Sequence, residues 1–168
     1  MITGIIIIII SLLLDGLLTN FFPYVGSLSI FTPLLTVVAI SIVYPLFRKK
    51  ENKYLLTLFI VGIIYDLLYT NLYFIDGVLF FIIGLISIKL YKYLEIDNIK
   101  ILLLSLIVIV VYEVLLFLII FVFRITDVTL FRLIYKISHT ILLNILYGEI
   151  LYIIITLLPN NYKKISIN

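Results

Sequence analysis

The chain contains no cysteine and no tryptophan, a single histidine, and a single alanine at Ala39. Without cysteine there is no disulfide, thiol nucleophile or thiolate metal site. The one histidine, His139, does not supply a usual zinc or iron set, so neither a metal nor another cofactor is expected. Charge is scarce too: 12% of residues are charged and 65% are hydrophobic. A soluble domain carries about twice that charged fraction, so water is not the solvent for most of this surface. Phosphate-binding glycine loops, HExxH and GxSxG are all missing, which leaves no recognisable catalytic set. An enzyme is not expected, and neither is a nucleic-acid partner.

What the chain has instead is long apolar runs. Stretches such as Ile5 to Ile10 are apolar without alternation, which excludes a membrane β-barrel and implies an all-α, polytopic membrane bundle. Six spans are expected, at 2–22, 31–47, 54–71, 77–94, 101–123 and 137–158, in one integral membrane domain covering 1–168. The first lacks a basic leader and a small-residue cleavage site, so it reads as a retained span. Thr32-Pro33 suits the start of the second span and Asp76-Gly77 the start of the fourth. Residues 124–136 read as an outer connection that forms a short amphipathic helix.

The basic residues set an expected orientation. Arg48, Lys49, Lys50, Lys53, Lys89, Lys92, Lys100, Lys163 and Lys164 fall on one side, and only Arg124, Arg132 and Lys136 on the other. By the positive-inside rule, both termini are expected in the cytoplasm. The basic segment 48–53 suits anionic lipid or a cytoskeletal partner, although topology alone accounts for it.

Four acids interrupt the apolar runs: Asp15, Asp66, Glu113 and Glu149. An unpaired charge near the bilayer centre costs roughly 2.5 to 3.5 kcal/mol on insertion scales, so these groups need partners, protons or a polar cavity. Counted from the expected inner boundary at 1.5 Å per residue, all four lie on the order of 20 Å up, in one layer. Ser11, Asp15 and Thr19 share a helix face, as do Gly62, Asp66 and Thr70. Asn144 and Gly148 make a third seam on the last span. One reading is an outward polar cavity or a proton-sensitive switch. In the other, the acids pair with Arg124, Arg132, Lys136 or His139 and lock the bundle. Asp15 and Asp66 sharing a proton is a further alternative. Of thirteen tyrosines, Tyr44, Tyr54, Tyr91, Tyr93 and Tyr162 lie near span ends, as an aromatic belt would. Tyr65, Tyr69 and Tyr73 repeat at four-residue spacing along the third span and its exit.

The stretch from Leu58 to Thr70, with Gly62 and Asp66 in G-x-x-x-D spacing, resembles the rod shape-determining protein MreD family. So does the next apolar span, with Gly84, closing on Lys89 and Lys92. Asp15, Glu113 and Leu142-Leu143-Asn144 fit the same pattern over essentially the whole chain. The resemblance implies a non-enzymatic component of the bacterial cytoplasmic membrane, acting in cell elongation and lateral peptidoglycan synthesis. It implies as partners a single-span MreC-like protein, RodA, a class B penicillin-binding protein and MreB, besides membrane lipids. The near absence of alanine departs from the family. The alternative is a substrate-binding S component of an energy-coupling factor vitamin transporter, which is similar in size and layout. Its alanine-rich seam in the first helix has no counterpart in residues 1–22.

Overall fold

The computed structural model describes residues 1–21, 24–25, 28–29, 33–47, 50–70, 74–93, 98–125 and 129–157. It contains six α-helices: α1 (Ile2–Phe21), α2 (Leu35–Ile42), α3 (Glu51–Tyr69), α4 (Ile75–Tyr93), α5 (Asn98–Val122) and α6 (Leu130–Leu157). Between α1 and α2, β1 (Tyr24–Val25) and β2 (Leu28–Ser29) form a minimal antiparallel ladder, with Tyr24 opposite Ser29.

Four of the helices are long and apolar enough to cross a membrane: Ile2–Asn20, Glu51–Tyr69, Lys100–Val122 and Leu130–Leu157. Their outward faces are apolar; on α1, Ile2, Ile6, Ile9, Ile10, Leu13 and Leu17 are all exposed along one stripe. α4 equals α3 in length and carries Asp76, Lys89 and Lys92.

The second expected span is corrected by the structure. Of residues 33–47, only eight are α-helical, Leu35–Ile42, about 12 Å of helix, which is too short to cross hydrocarbon. Proline brackets this element. Pro33 precedes it, and Pro45 falls inside a 3₁₀ turn, Tyr44–Phe47, that ends it. Proline has no N–H to continue the helix, and it disfavours α geometry in the residue before it.

Every residue of α2 is buried, and Ala39, Val37, Val38 and Ile40 are wholly so. α1, α4, α5 and α6 all pack against it. A helix that is apolar on all sides belongs in a core, and α2 is the core of this bundle. Around it, α3 pairs with α4 and α5 with α6 as antiparallel hairpins. The expected amphipathic helix at 124–136 is also corrected. From Leu130 onward these residues are the first turns of α6, and 126–128 lie outside the described residues.

Candidate functional site: a polar network holding helix ends

A short helix in a dry core has a specific problem. Its first N–H and last C=O groups have no partners within the helix, and neither lipid nor apolar side chains can supply them. In this bundle the other helices supply them. Asp15 on α1 accepts the backbone N–H of Leu35 through Oδ1 at 2.7 Å and that of Thr36 through Oδ2 at 2.9 Å. Asn144 on α6 accepts the Leu34 N–H through Oδ1 at 2.7 Å. Its Nδ2 donates to the Thr140 carbonyl at 2.7 Å, which fixes the amide's orientation. At the other end, the Tyr54 hydroxyl donates to the Ile40 carbonyl at 2.6 Å, and that of Tyr91 to the Ile42 carbonyl at 3.1 Å. Four helices thus terminate α2 from outside.

α4 is held in a similar way. Asp66, 1% exposed, accepts the Asp76 N–H through Oδ2 at 3.0 Å and the Thr70 hydroxyl through Oδ1 at 2.9 Å. That contact requires α3 and α4 to touch backbone to backbone. Gly62, one turn before Asp66, makes the room: a Cβ there would collide with the Asp76 carbonyl oxygen and lie 2.6 Å from the Gly77 Cα. The G-x-x-x-D spacing therefore has a physical meaning. Its glycine brings the helix end close, and its aspartate caps that end. Asp76 in turn accepts the Tyr112 hydroxyl through Oδ1 at 2.8 Å, linking α4 to α5.

Glu113 and Lys136 complete the upper network. Lys136 Nζ stands 3.0 Å from Glu113 Oε2, tying α6 to α5; the glutamate side chain is 2% exposed and the lysine 39%. The second Glu113 oxygen is buried without a partner among the described residues.

The remaining expected residues are placed as follows. Ser11 meets the Tyr147 hydroxyl at 2.6 Å and donates to the Ile7 carbonyl, while Thr19 donates to the Asp15 carbonyl. Gly148 packs against Ser105 and Val38, where a Cβ would come within 2.5 Å of the serine oxygen. Gly16 makes space for Tyr69, whose hydroxyl donates to the Leu12 carbonyl at 2.8 Å. Glu149 does not join the upper acids. It lies five residues along α6 from Asn144, about 7.5 Å below the level at which Asn144 and Asp15 cap α2, with Oε1 buried and without a partner among the described residues. Asp15 and Asp66 cap different helices. His139 turns to its own helix, stacking on Tyr135 with Nδ1 2.9 Å from the Tyr135 carbonyl. Arg124 and Arg132 are exposed at the ends of α5 and α6.

Three tyrosines expected in an interfacial belt are core groups instead, Tyr44 among them, buried in the 3₁₀ turn that ends α2. Tyr54 is fully buried, and Tyr91 is half-buried with its hydroxyl on α2. Tyr93, 85% exposed, stands at the end of α4. Tyr65 and Tyr69 meet edge to face, while Tyr73 and Tyr162 lie outside the described residues. Sequence reasoning also missed Asp76 and Tyr112 as network members. The available signal was that a buried tyrosine hydroxyl needs a partner.

Chemically, this network joins side chains to backbone groups and to one another. Its carboxylates are directed at N–H groups, hydroxyls and one ammonium. Among the described residues, no group of three or more His, Cys, Asp or Glu side chains is disposed to hold a metal ion.

A family model described as rod shape-determining protein MreD matches residues 1–162. The chain belongs to the MreD family. No curated protein and no solved structure shows significant similarity to it. Membership makes this a membrane protein with a role in rod shape determination, in agreement with its four spanning helices. For an MreD protein, the Gly62–Asp66 pair and the trans-capped α2 give the bundle its internal registration.

Proposed function

We propose that this MreD protein is a non-catalytic scaffold of the bacterial cytoplasmic membrane, with both termini inside, that works in cell elongation through protein–protein contacts. Its partners in this reading are a single-span MreC-like protein, RodA, a class B penicillin-binding protein and MreB, with which it directs lateral peptidoglycan synthesis.

The observation that carries the reading is how the buried polar groups are used. Asp15, Asn144 and Asp66 are engaged with backbone donors of this chain, and Glu113 with Lys136. A bundle in which two buried acids, Asp15 and Asp66, cap its own helix ends is built to hold a shape, and a fixed shape is what a docking platform needs. The family match and the excess of basic residues on the expected inner side support the setting and the orientation.

Gentle detergent extraction of the tagged chain from its own host, followed by mass spectrometry of co-purifying proteins, tests this. MreC, RodA or a penicillin-binding protein is expected. Recovery of a transmembrane coupling subunit with a pair of ATPases, and none of the wall proteins, would instead make the chain a nutrient-binding component.

A further inference from the structure

The helices of this bundle are unequal in length, and the difference lies at one end. α3 and α4 have 19 residues each and α5 has 25, which is about 28 Å against about 37 Å of helix. The Tyr112–Asp76 hydrogen bond sets the level, because it places the start of α4 beside Tyr112. From there α5 continues ten residues to Val122, about 15 Å beyond the point where its neighbour begins. α6 accompanies it, starting six residues before the Lys136 that pairs with Glu113. The α5–α6 hairpin therefore rises above the α3–α4 turn.

Among the described residues, the exposed side chains of that raised end are mainly apolar. From Val114 to Phe123, just past the end of α5, there is no polar residue, and Leu118, Phe121, Val122 and Phe123 are exposed. Leu130, Phe131 and Ile134 are exposed on α6. Phe121, Val122 and Phe123 are consecutive, so at about 100° per residue they spread over about 200° of the helix's circumference. A protein partner covers one face, whereas acyl chains surround a helix. Leu102, Leu103 and Leu106 are exposed lower on the same membrane-spanning helix, and the residues between, Ile107 to Phe117, are buried or half-buried. Exposed Arg124 and Arg132 cap the tip, where lipid phosphates are found.

We propose that the covering partner of this tip is lipid, and that the protein presents two hydrophobic heights to the bilayer, short at α3–α4 and tall at α5–α6. A bilayer matched to such a rim is thinner on one side of the bundle than on the other. The cost of that gradient falls where the membrane is already uneven, so the rim biases where in the membrane the protein resides.

The chain has no native tryptophan, so single reporters measure this directly. Phe74→Trp, at the exposed start of α4, and Phe121→Trp, near the tip, differ in height by about 10 Å along the bundle. The full chain carrying either one is reconstituted in phosphatidylcholine vesicles with bromine at set acyl depths. Both reporters are expected to be quenched best by bromines near the headgroups, because the bilayer follows the rim. Absence of acyl-chain quenching at Phe121→Trp would overturn the proposal, since the tip would then lie in water or under protein. Best quenching of Phe74→Trp by bromines near the bilayer centre would overturn it too, because the bilayer would be flat and the α3–α4 turn submerged.

Discussion

Asp15 and Asn144 reach the same point from two different helices. Between them they accept the backbone N–H groups of Leu34, Leu35 and Thr36 at 2.7, 2.7 and 2.9 Å, closing the start of α2. A helix of eight residues has little stability of its own, and one buried on every side obtains no help from water. The two side chains are therefore a condition of the core helix existing where it does.

Removing the carboxylate should show this. Each orphaned buried donor costs on the order of 1–3 kcal/mol, and Asp15→Leu orphans two. The purified variant is expected to melt well below wild type in detergent. Asp15→Asn keeps one acceptor oxygen and is expected to fall between the two. Equal melting of Asp15→Leu and wild type would remove this cap from the account.

A second test concerns helix approach. Gly62→Ala places a methyl group against the Asp76 and Gly77 backbone and so must push α4 away from α3. The same movement draws the Asp76 N–H from Asp66. Gly62→Ala and Asp66→Leu are each expected to destabilise, by about 1–3 kcal/mol, and the double variant by less than their sum, because both break one contact. Additive losses in a double-mutant cycle would separate the glycine from the aspartate.

Much of this arrangement was legible in the sequence, for identifiable reasons. Long apolar runs impose helices in lipid, and acids in such runs are costly enough to mark polar contacts, so the all-helical plan and Asp15, Asp66 and Glu113 stand out. α2 was misjudged because hydropathy does not tell a lipid-facing helix from a core helix, and Val37 to Ile42 suits both. Pro33 and Pro45 were the available sign of its true length. Tyr54 and Tyr91 misled for a related reason. Their places near helix ends fit an interface, while their use on the Ile40 and Ile42 carbonyls depends on how α3 and α4 pack around α2. For Glu149, a count from the expected inner boundary is not enough, because helix length alone does not give the level at which two helices meet.

The tyrosine caps yield a third prediction. Tyr54→Phe conserves shape and leaves the Ile40 carbonyl without its hydroxyl, so a loss of about 1–3 kcal/mol is expected. Tyr93→Phe, at an exposed site, is expected to change stability by no more than about 0.5 kcal/mol. Thermal melts of the two variants side by side check the contrast.

Orientation gives a fourth. In intact cells, a cysteine replacing Phe74, at the exposed start of α4, is expected to react with an impermeant thiol reagent, and one replacing Glu51 to stay unlabelled until the cells are opened. The native chain has no cysteine to confuse the readout. Reversed labelling would invert the bundle in the membrane.

The most direct test of the whole account places Asp15→Leu and Asp66→Leu together in the chromosomal copy of a rod-shaped host and images the cells. If helix ends held by these two carboxylates give the bundle the shape on which rod determination depends, the cells are expected to widen and round. Rods of normal width, with the doubly substituted protein present in the membrane at its normal level, would contradict it.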